Sequence, residues 1–429
     1  MNRRTFLQVT ALAASGLAAP AAGARRIRIG FLGCSHSHGL PKVKLTLESA
    51  DWECTGVCEP AATARAAAEK LGARALTQAQ VLAASEVIAV EGEPEDRFRM
   101  AQAALAAGKH VHLEKGPLVT LAEFRELLGI AQEQRLRLQM GYMWRFNPGL
   151  NAALEAARKG WLGEVYLVRG VINTNLNAAA RQALAATTGG TMHELGCHLV
   201  DPLVRLLGKH VKVTPVLRHD AKADDALADN CVAVFDFKRA IGIISSAAMQ
   251  PLAGAQRSFE IQGTNGVAVV KPLEQPVLTV DLATAAGPYA KGNQVITFPP
   301  YQRYTPEFAE LAACVRTGRP LGVTPAEDAL VHEAVLKACG MQKAGTSAGL
   351  CRRCREENPS ANKRRSMGPS YSAGGAGAVG RLLSDPRELG PKPRGKPVPR
   401  PRPIFVPPGT KIGQAPWWQG FNDSRFSRR

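Results

Sequence analysis

The 429-residue sequence is short of acidic side chains, with 36 Asp and Glu against 54 Lys and Arg and a formal net charge of +18 at pH 7. This excess lies at the two ends of the chain. Residues 346–429 carry a net charge of +12, whereas residues 27–345 carry only +2. A body this close to neutral lacks the basic surface that nucleic-acid binding requires. We therefore expect no nucleic-acid partner.

The sequence also lacks an apolar run of the roughly 20 residues that a membrane-spanning helix needs. The nearest candidate is the alanine-rich stretch VTALAASGLAAPAA, which follows the twin-arginine start MNRRTFLQ. A small-residue cleavage site follows at residues 22–24, a pattern typical of a twin-arginine export signal. Residues 1–24 are therefore predicted to engage the twin-arginine export machinery. Their removal would leave a periplasmic protein with no membrane segment.

Apolar periodicity is missing after Gly345, where 12 of the 29 prolines fall. Residues 346–429 cannot bury enough apolar surface to offset the entropy of ordering them. They are interpreted as a disordered basic Pro/Arg/Gly-rich tail or as the frameshifted end of a GC-rich gene. In neither case is a function predicted from them.

Cysteine is present but not in a pattern that implies disulfides or a structural zinc site. Most of the nine cysteines stand within apolar patterns, which favours buried free thiols. Cys351 and Cys354 form the only CxxC, and without a second ligand pair it is a weak zinc signal.

Two patterns divide the remaining chain. Residues 25–148 alternate short apolar strands with helical segments, which predicts an α/β domain with a Rossmann-like, doubly wound parallel sheet. Residues 149–345 hold consecutive strand-like runs with tight turns such as Thr264-Asn265-Gly266. They predict an α+β domain with a mostly antiparallel, open sheet.

The first strand leads into GFLGCSHSHG, which lacks two of the three glycines of a dinucleotide-binding turn. Gly33 supplies the first glycine, but Ser35 and His38 occupy the second and third positions. An imidazole at the third position should push the helix outward unless Gly39 shifts the register by one. The N-terminus of the helix would still attract a phosphate.

Four stretches in this order resemble the Gfo/Idh/MocA oxidoreductases: IRIGFLGCSHSHG, GKHVHLEKGPLVTLAE, GYMWRFNP and GGTMHELGCHLVDPLVRLLG. The resemblance covers about residues 27–345. It implies NAD or NADP, possibly tightly bound, in an N-terminal crevice. It also implies a sugar or cyclitol substrate, hydride transfer at a CH–OH carbon, and a homo-oligomer. Residues 149–345 would then be the domain for substrate binding and oligomerisation.

The resemblance places the cofactor at the turn and at the ends of two strands. An acid at the position of Glu59 would bind the adenosine ribose and favour NAD over NADP. Glu91, Glu93, Glu95 and Asp96 follow the third strand and are expected to weaken the binding of an anionic cofactor. The predicted cofactor-binding residues are Gly30, Gly33, Ser35, His36, His38, Glu59, Glu114 and Lys115.

The segment TMHELGCHLVD is the candidate catalytic segment. His198 lies five residues after His193, so the two histidines do not share a helix face and the metalloprotease pattern fails. Glu194 and His198 are spaced i, i+4 and are expected to face each other. In the family's pattern His198 would be the general base, Glu194 would orient it, and Lys115 would polarise the reacting oxygen.

Further residues and alternative functions complete these expectations. Tyr142, Arg145 and Asn147 match a family segment between the domains and are interpreted as walls of the substrate crevice or as a hinge. Asp201 is predicted to support its helix. No metal is predicted. The alternatives are redox-neutral glycoside cleavage with a retained NAD, a non-catalytic sugar-binding protein on the same scaffold, and a metal hydrolase. The hydrolase would use His36, His38, His193 and His198.

Overall fold

The computed structural model describes residues 25–116 and 119–341. The predicted signal peptide, the basic tail, the Cys351–Cys354 pair and Pro117 lie outside these residues. Within them, none of the helices combines the length and apolar character that a membrane crossing requires. The cysteines of this part of the chain are all free thiols, and most of them are buried.

The first sheet has five parallel strands in the order β2-β1-β3-β4-β5. Each strand is short and apolar, and β3 and β5 are buried along their whole length because helices cover both faces. The order reverses direction at β1 and β3, so the crevice beyond their carboxyl ends is the expected ligand site. The strands are β1 (Ile27–Leu32), β2 (Trp52–Cys58), β3 (Val87–Val90), β4 (His110–Glu114) and β5 (Leu138–Gly141).

Five helices connect and cover these strands. Two of them begin with a capping box, in which a threonine and a glutamine or glutamate bond reciprocally to backbone N–H groups. The helices are α1 (Gly39–Glu48), α2 (Ala62–Lys70), α3 (Gln78–Ala84), α4 (Arg97–Ala106) and α5 (Leu121–Glu133).

The second sheet has eight strands in the order β13-β12-β11-β10-β6-β9-β8-β7 and open edges at β13 and β7. All neighbouring pairs are antiparallel except β6 with β9. Alternate side chains are buried, as Phe259 and Ile261 are on β10, since only one face is covered. The strands are β6 (Val165–Val171), β7 (Lys212–Arg218), β8 (Asn230–Asp236), β9 (Ile241–Ala247), β10 (Ser258–Gly263), β11 (Gly266–Val270), β12 (Val277–Leu282) and β13 (Gly292–Thr297).

The predicted fold class, a Rossmann-like parallel sheet followed by a mostly antiparallel open sheet, is confirmed. The covering helices of the second part also reach the crevice. A π-helical turn (Met192–Gly196) leads directly into α8, and α9 returns to β5, where the Gln139 side chain donates to the Glu307 carbonyl. These helices are α6 (Pro148–Arg158), α7 (Ala178–Ala185), α8 (Cys197–Leu207), α9 (Thr305–Thr317) and α10 (Pro325–Ala338).

Candidate active site

Gly33 and Gly39 are the two glycines that the turn after β1 requires. Gly33 has a φ of +80°, which favours glycine, and its Cα packs against the backbone of Gly92. A Cβ on Gly39 would lie 2.7 Å from the Cα and the carbonyl oxygen of Cys34. Gly39 therefore provides the close approach of helix to turn, and His38 stands just before α1 as its N-cap residue.

Glu59, at the end of β2, holds this turn in place. Its Oε2 accepts hydrogen bonds from the backbone N–H groups of Cys34 (2.6 Å) and Ser35 (2.9 Å). Its Oε1 accepts from the N–H of Ala61 at 2.8 Å. The predicted contact of Glu59 with an adenosine ribose stays a prediction. In this structure the carboxylate binds backbone N–H groups of the turn and of the segment before α2.

Gly30 does not face the crevice, which corrects its assignment to the cofactor site. A Cβ at this position would lie 2.5 Å from Ser85 Oγ and 2.6 Å from Val81 Cγ1. Gly30 is thus a packing residue that lets α3 lie close to β1.

A buried ion cluster that the sequence reasoning missed lies at the carboxyl ends of β3 and β4. The Lys42 ammonium, on α1, lies 2.8 Å from Glu91 Oε1, 2.5 Å from Glu114 Oε2 and 3.0 Å from His112 Nε2. All four residues are fully buried. Glu91, His112 and Glu114 place their ligand atoms close enough together to hold a cation, and the Lys42 ammonium lies in that position.

The charges in this cluster are set by burial and by Lys42. Burial raises the pKa of Glu91 to about 8, although Lys42 opposes the shift. Burial likewise raises the pKa of Glu307, on α9, to about 8. Burial would also raise the pKa of Glu114, but Lys42 and His38 hold it well below its usual range. Glu114 is therefore the ionised partner of Lys42 at neutral pH.

The acidic segment after β3 does not concentrate charge in the crevice. Glu91 points inward to Lys42, whereas Glu93 and Glu95 are exposed and Asp96 pairs with Arg99. The repulsion expected between this segment and an anionic cofactor is therefore largely relieved by an ion pair and by solvent.

His36 and His38 turn their imidazoles toward Glu114. His38 Nδ1 lies 2.9 Å from Glu114 Oε1, and His36 Nδ1 lies 3.9 Å from the same oxygen. Burial lowers the pKa of His38 to about 4, so its ring is neutral at pH 7. Because ionised Glu114 can only accept, Nδ1 of a neutral His38 carries the proton in this contact.

Lys115 and Glu194 form an ion pair between the two sheets. The Lys115 ammonium lies 2.7 Å from Glu194 Oε1 and donates to the Glu194 carbonyl at 2.7 Å. His36 Nε2 lies 3.5 Å from the same carboxylate oxygen. Burial would raise the pKa of Glu194, but Lys115 and His36 together outweigh it and hold the pKa well below its usual range. The structure thus brings these three predicted site residues together.

His198 lies beside them, but it is not paired with Glu194 as the i, i+4 spacing predicts. Residues 192–196 form a π-helical turn with i→i+5 hydrogen bonds, which changes the faces to which Glu194 and His198 belong. The His198 ring instead packs near Trp144, Tyr142 and His38, with centroids 5.5–6.2 Å away. Its buried Nδ1 has no hydrogen-bond partner among the described residues.

Burial and the nearby Lys115 hold the pKa of His198 well below its ordinary value. The imidazole is therefore neutral at pH 7 and can accept a proton. His193 is buried with its ring against Gly116, and burial lowers its pKa to about 3. Among the described residues, neither group close enough to hold a metal contains His193 or His198. The four-histidine hydrolase site is not formed.

Two of the three predicted substrate residues are engaged inside the protein, which corrects their assignment. Arg145 is buried, with its guanidinium 2.7 Å from Asp201 and 2.6 Å from Asp328. Asn147 caps α6 by accepting from the Leu150 N–H and donates to the Leu273 carbonyl.

Asp201 supports its helix's packing, as expected, through the ion pair with Arg145. Tyr142 is buried as well, with its ring centroid 4.8 Å from the Arg145 guanidinium and 6.2 Å from the ring centroid of His198, and its contact with a substrate stays a prediction.

A Rossmann-like sheet with its glycine turn is followed by a large open sheet, and the buried side chains of Lys115 and His198 meet beside the turn. This arrangement defines a two-part dinucleotide-binding oxidoreductase fold. Family models agree with this architecture. The model for the oxidoreductase family with an NAD-binding Rossmann fold matches residues 27–142, and that for the GFO/IDH/MocA C-terminal domain matches residues 150–269. The chain belongs to the Gfo/Idh/MocA oxidoreductase family.

Individual relatives are distant. The rhizopine catabolism protein MocA of Rhizobium meliloti is 30% identical over 187 residues, which cover 43% of this chain and 58% of that protein. Human trans-1,2-dihydrobenzene-1,2-diol dehydrogenase is 32% identical over 126 residues, covering 29% of this chain and 38% of that protein. The match to both relatives thus spans less than two thirds of their length.

Solved structures show the same fold at low identity. GenD2 from gentamicin A biosynthesis, in complex with NAD, is 23% identical with a TM-score of 0.64, covering 77% of this chain and 98% of that one. UDP-N-acetylglucosamine 3-dehydrogenase GnnA from Acidithiobacillus ferrooxidans is 20% identical with a TM-score of 0.62, covering 76% and 100%.

Proposed function

We propose that this chain is a nicotinamide-dependent dehydrogenase that oxidises a secondary hydroxyl of a sugar or cyclitol, or reduces the corresponding ketone. The observation that carries the proposal is the grouping of Lys115, Glu194 and His198 beside the glycine turn, at the carboxyl ends of the strands. Family membership supports it, as do relatives named as dehydrogenases of diols and of a nucleotide sugar.

The turn fits a dinucleotide in its backbone geometry. Gly33 makes the tight turn, and Gly39 allows α1 to approach it, so a pyrophosphate can lie at the N-terminus of α1. When bound, the nicotinamide supplies the hydride acceptor or donor. We propose NAD rather than NADP, because the Glu59 carboxylate at the end of β2 would repel a 2′-phosphate.

The protein's own residues then handle the proton and the developing charge. His198 is neutral with a free Nδ1, so it can take the hydroxyl proton. The Lys115 ammonium can stabilise the alkoxide that forms as the proton leaves. Glu194 holds that ammonium in place at 2.7 Å and is a positioning residue. This division of roles differs from a Glu194–His198 pair.

The test begins with the purified protein, examined for bound nicotinamide by ultraviolet absorbance and mass spectrometry. Turnover of a panel of sugars and cyclitols with added NAD is then followed by the absorbance of reduced nicotinamide. We expect Lys115→Met and His198→Gln to lower kcat by about 10²–10⁴-fold. The matched controls are Lys70→Met, at an exposed lysine, and His210→Gln, outside the crevice.

Two outcomes would overturn the proposal. Turnover unchanged by Lys115→Met and His198→Gln would remove the assigned roles. A protein that carries no nicotinamide and binds none when it is added cannot be a dehydrogenase of this kind. Sugar binding in that case would identify a non-catalytic binding protein on the same scaffold.

We also propose that the chain is exported and assembles with copies of itself. The twin-arginine start supports export, and replacing Arg3 and Arg4 by lysine should retain the protein in the cytoplasmic fraction. Apolar side chains on the uncovered face of the second sheet support self-association, which analytical ultracentrifugation would measure. Their exposed fractions are Val216 50%, Val234 37%, Ile241 49% and Val295 62%.

A further inference from the structure

Two imidazoles and a carboxylate meet at the crevice end of β4. The Nδ1 atoms of His36 and His38 lie 3.9 and 2.9 Å from Glu114 Oε1. The two rings meet edge to face with their centroids 4.7 Å apart. An ion with tetrahedral bonds of about 2.1 Å separates its ligand atoms by about 3.4 Å. The observed separations lie on either side of this value, and one donor atom from each of the three residues lies within 4.8 Å of the others.

The surroundings direct an ion to this group and leave it accessible. Lys42 contacts Glu114 Oε2 and also Glu91, so a cation at Glu114 would bind Oε1, the oxygen that His38 Nδ1 contacts. A ligating carboxylate that is fixed by a second hydrogen bond is the usual support of a metal site. His36 and His38 are partly exposed to the crevice, whereas Glu114 is fully buried.

The sequence change at the turn is consistent with a gain of ligands. Where a dinucleotide-binding turn has its third glycine, this chain has an imidazole that contacts Glu114, and Gly39 takes over the packing role. His36, two residues earlier, adds a second imidazole on the same side of Glu114. A turn that merely accommodated the loss of a glycine would not require both rings to converge on one carboxylate.

We propose that His36, His38 and Glu114 form a binding site for one divalent transition-metal ion, with Zn²⁺ or Co²⁺ as suitable occupants. Two imidazoles and one carboxylate are a donor set that suits these ions, whereas Mg²⁺ and Ca²⁺ prefer oxygen ligands. On binding, the weak 3.3 Å hydrogen bond from the His38 N–H to His36 Nδ1 is given up. The proton of the neutral His38 ring moves from Nδ1 to Nε2, so that Nδ1 can bind the ion in place of its contact with Glu114.

On the far edge of the His36 ring, Nε2 lies 3.5 Å from Glu194 Oε1, a contact that can orient the ring for ligation through Nδ1. The position that the three ligands leave open could bind a hydroxyl or carboxylate oxygen of a small-molecule substrate. This inference goes beyond the proposed dehydrogenase, since it requires no nicotinamide.

Metal binding is tested directly on the full chain, after dialysis against a chelator and then against chelator-free buffer. Co²⁺ is added, and its visible absorption bands report coordination number and stoichiometry; Zn²⁺ is then titrated by calorimetry. The variants are His36→Gln and His38→Gln. The matched control is His110→Gln, at the opposite end of the same strand as Glu114. Circular dichroism and a thermal melt establish that each variant is folded.

We expect one equivalent of Co²⁺ with a four-coordinate spectrum in the parent chain and in His110→Gln. Each of the two site variants should weaken Zn²⁺ binding by at least about 10- to 100-fold. Should His38→Gln fail to fold, His36→Gln decides the question, because His36 Nδ1 lies 3.9 Å from Glu114 Oε1 and lacks the 2.9 Å contact that His38 makes. Binding below one equivalent in the parent chain, or equal binding in His36→Gln, overturns the proposal. NADH binding measured on the same samples separates this result from that for the dehydrogenase.

Discussion

Replacing Lys42 by methionine is the most informative test of the buried ion cluster. The ammonium is fully buried and lies within 2.5–3.0 Å of Glu114, Glu91 and His112. Methionine has a similar length, so the change removes the charge with little loss of packing. It leaves the Glu114 carboxylate buried without its cation. Breaking a buried ion pair in this way costs about 3–5 kcal/mol of unfolding free energy.

The assay is urea unfolding at pH 7, followed by tryptophan fluorescence. The matched control is Lys44→Met on the same helix, where the exposed ammonium pairs with Glu48 at 3.2 Å. A surface i, i+4 pair contributes about 0.3–0.5 kcal/mol, so this variant should remain close to the parent chain. The contrast between the two lysines measures the effect of burial on one residue type in one helix.

A double variant isolates the charge as the cause. Adding Glu114→Gln to Lys42→Met removes the unpaired carboxylate, so the double variant should recover part of the lost stability. The reasoning would be refuted if Lys42→Met lost no more stability than Lys44→Met. It would also be refuted if the two changes at Lys42 and Glu114 were simply additive.

Two further predictions concern pH and backbone packing. Burial raises the pKa of Glu91 and Glu307 to about 8 in the folded chain, whereas a glutamate in the unfolded chain has a pKa near 4.5. Between these two values the folded chain binds more protons than the unfolded chain. The free energy of unfolding measured by urea titration should therefore fall by about 1–3 kcal/mol between pH 6.5 and 8. Glu307→Gln should make this pH dependence shallower. An unfolding free energy that rises over this range in the parent chain contradicts the assignment. Gly39→Ala should lower the melting temperature, because its Cβ would lie 2.7 Å from Cys34, whereas Gly129→Ala meets no atom within 4 Å and should stabilise α5 by about 0.5–1 kcal/mol. Equal thermal melts for the two glycine variants would contradict the packing assigned to Gly39.

The fold could be predicted from the sequence because its signals are local. The apolar strands of residues 25–148 alternate with helices, and that period alone specifies parallel strands joined by crossovers. The turn Thr264-Asn265-Gly266 likewise marks the connection of β10 to β11. The parallel pairing of β6 with β9 could not be anticipated, because it joins strands about 70 residues apart without a local signal.

The site was predicted in part, and its errors have physical causes. The ends of β1 and β4 were expected to face one crevice, and His38, Glu114 and Lys115 do lie there. The i, i+4 rule failed for Glu194 and His198 because it assumes an uninterrupted α-helix, whereas residues 192–196 form a π-helical turn. The conformation of this turn depends on packing against the sheet rather than on spacing.

Lys42 was missed although the sequence carried a signal for it. The buried positions of α1 are Gly39, Lys42, Val43 and Thr46, a stripe at helical spacing in which a lysine is out of place. A lysine on a buried stripe requires an acid from another element. The segment after β3 supplies one in Glu91, and the end of β4 supplies the other in Glu114.

The missing glycine and the acid after β3 are therefore parts of one arrangement. With Gly39 packed on the turn, His38 and Lys42 are spaced i, i+4 at the start of α1, and they bond to the two oxygens of the same Glu114 carboxylate. Lys42 also contacts Glu91, whose pKa of about 8 leaves it protonated at pH 7, so Glu91 adds no negative charge that would repel a phosphate. With the packing glycine at position 39, position 38 can hold a histidine. His38 and Lys42, at the start of α1, then both bind the Glu114 carboxylate. The fold is retained because Gly39, which has no Cβ, allows α1 to pack closely against the backbone of Cys34.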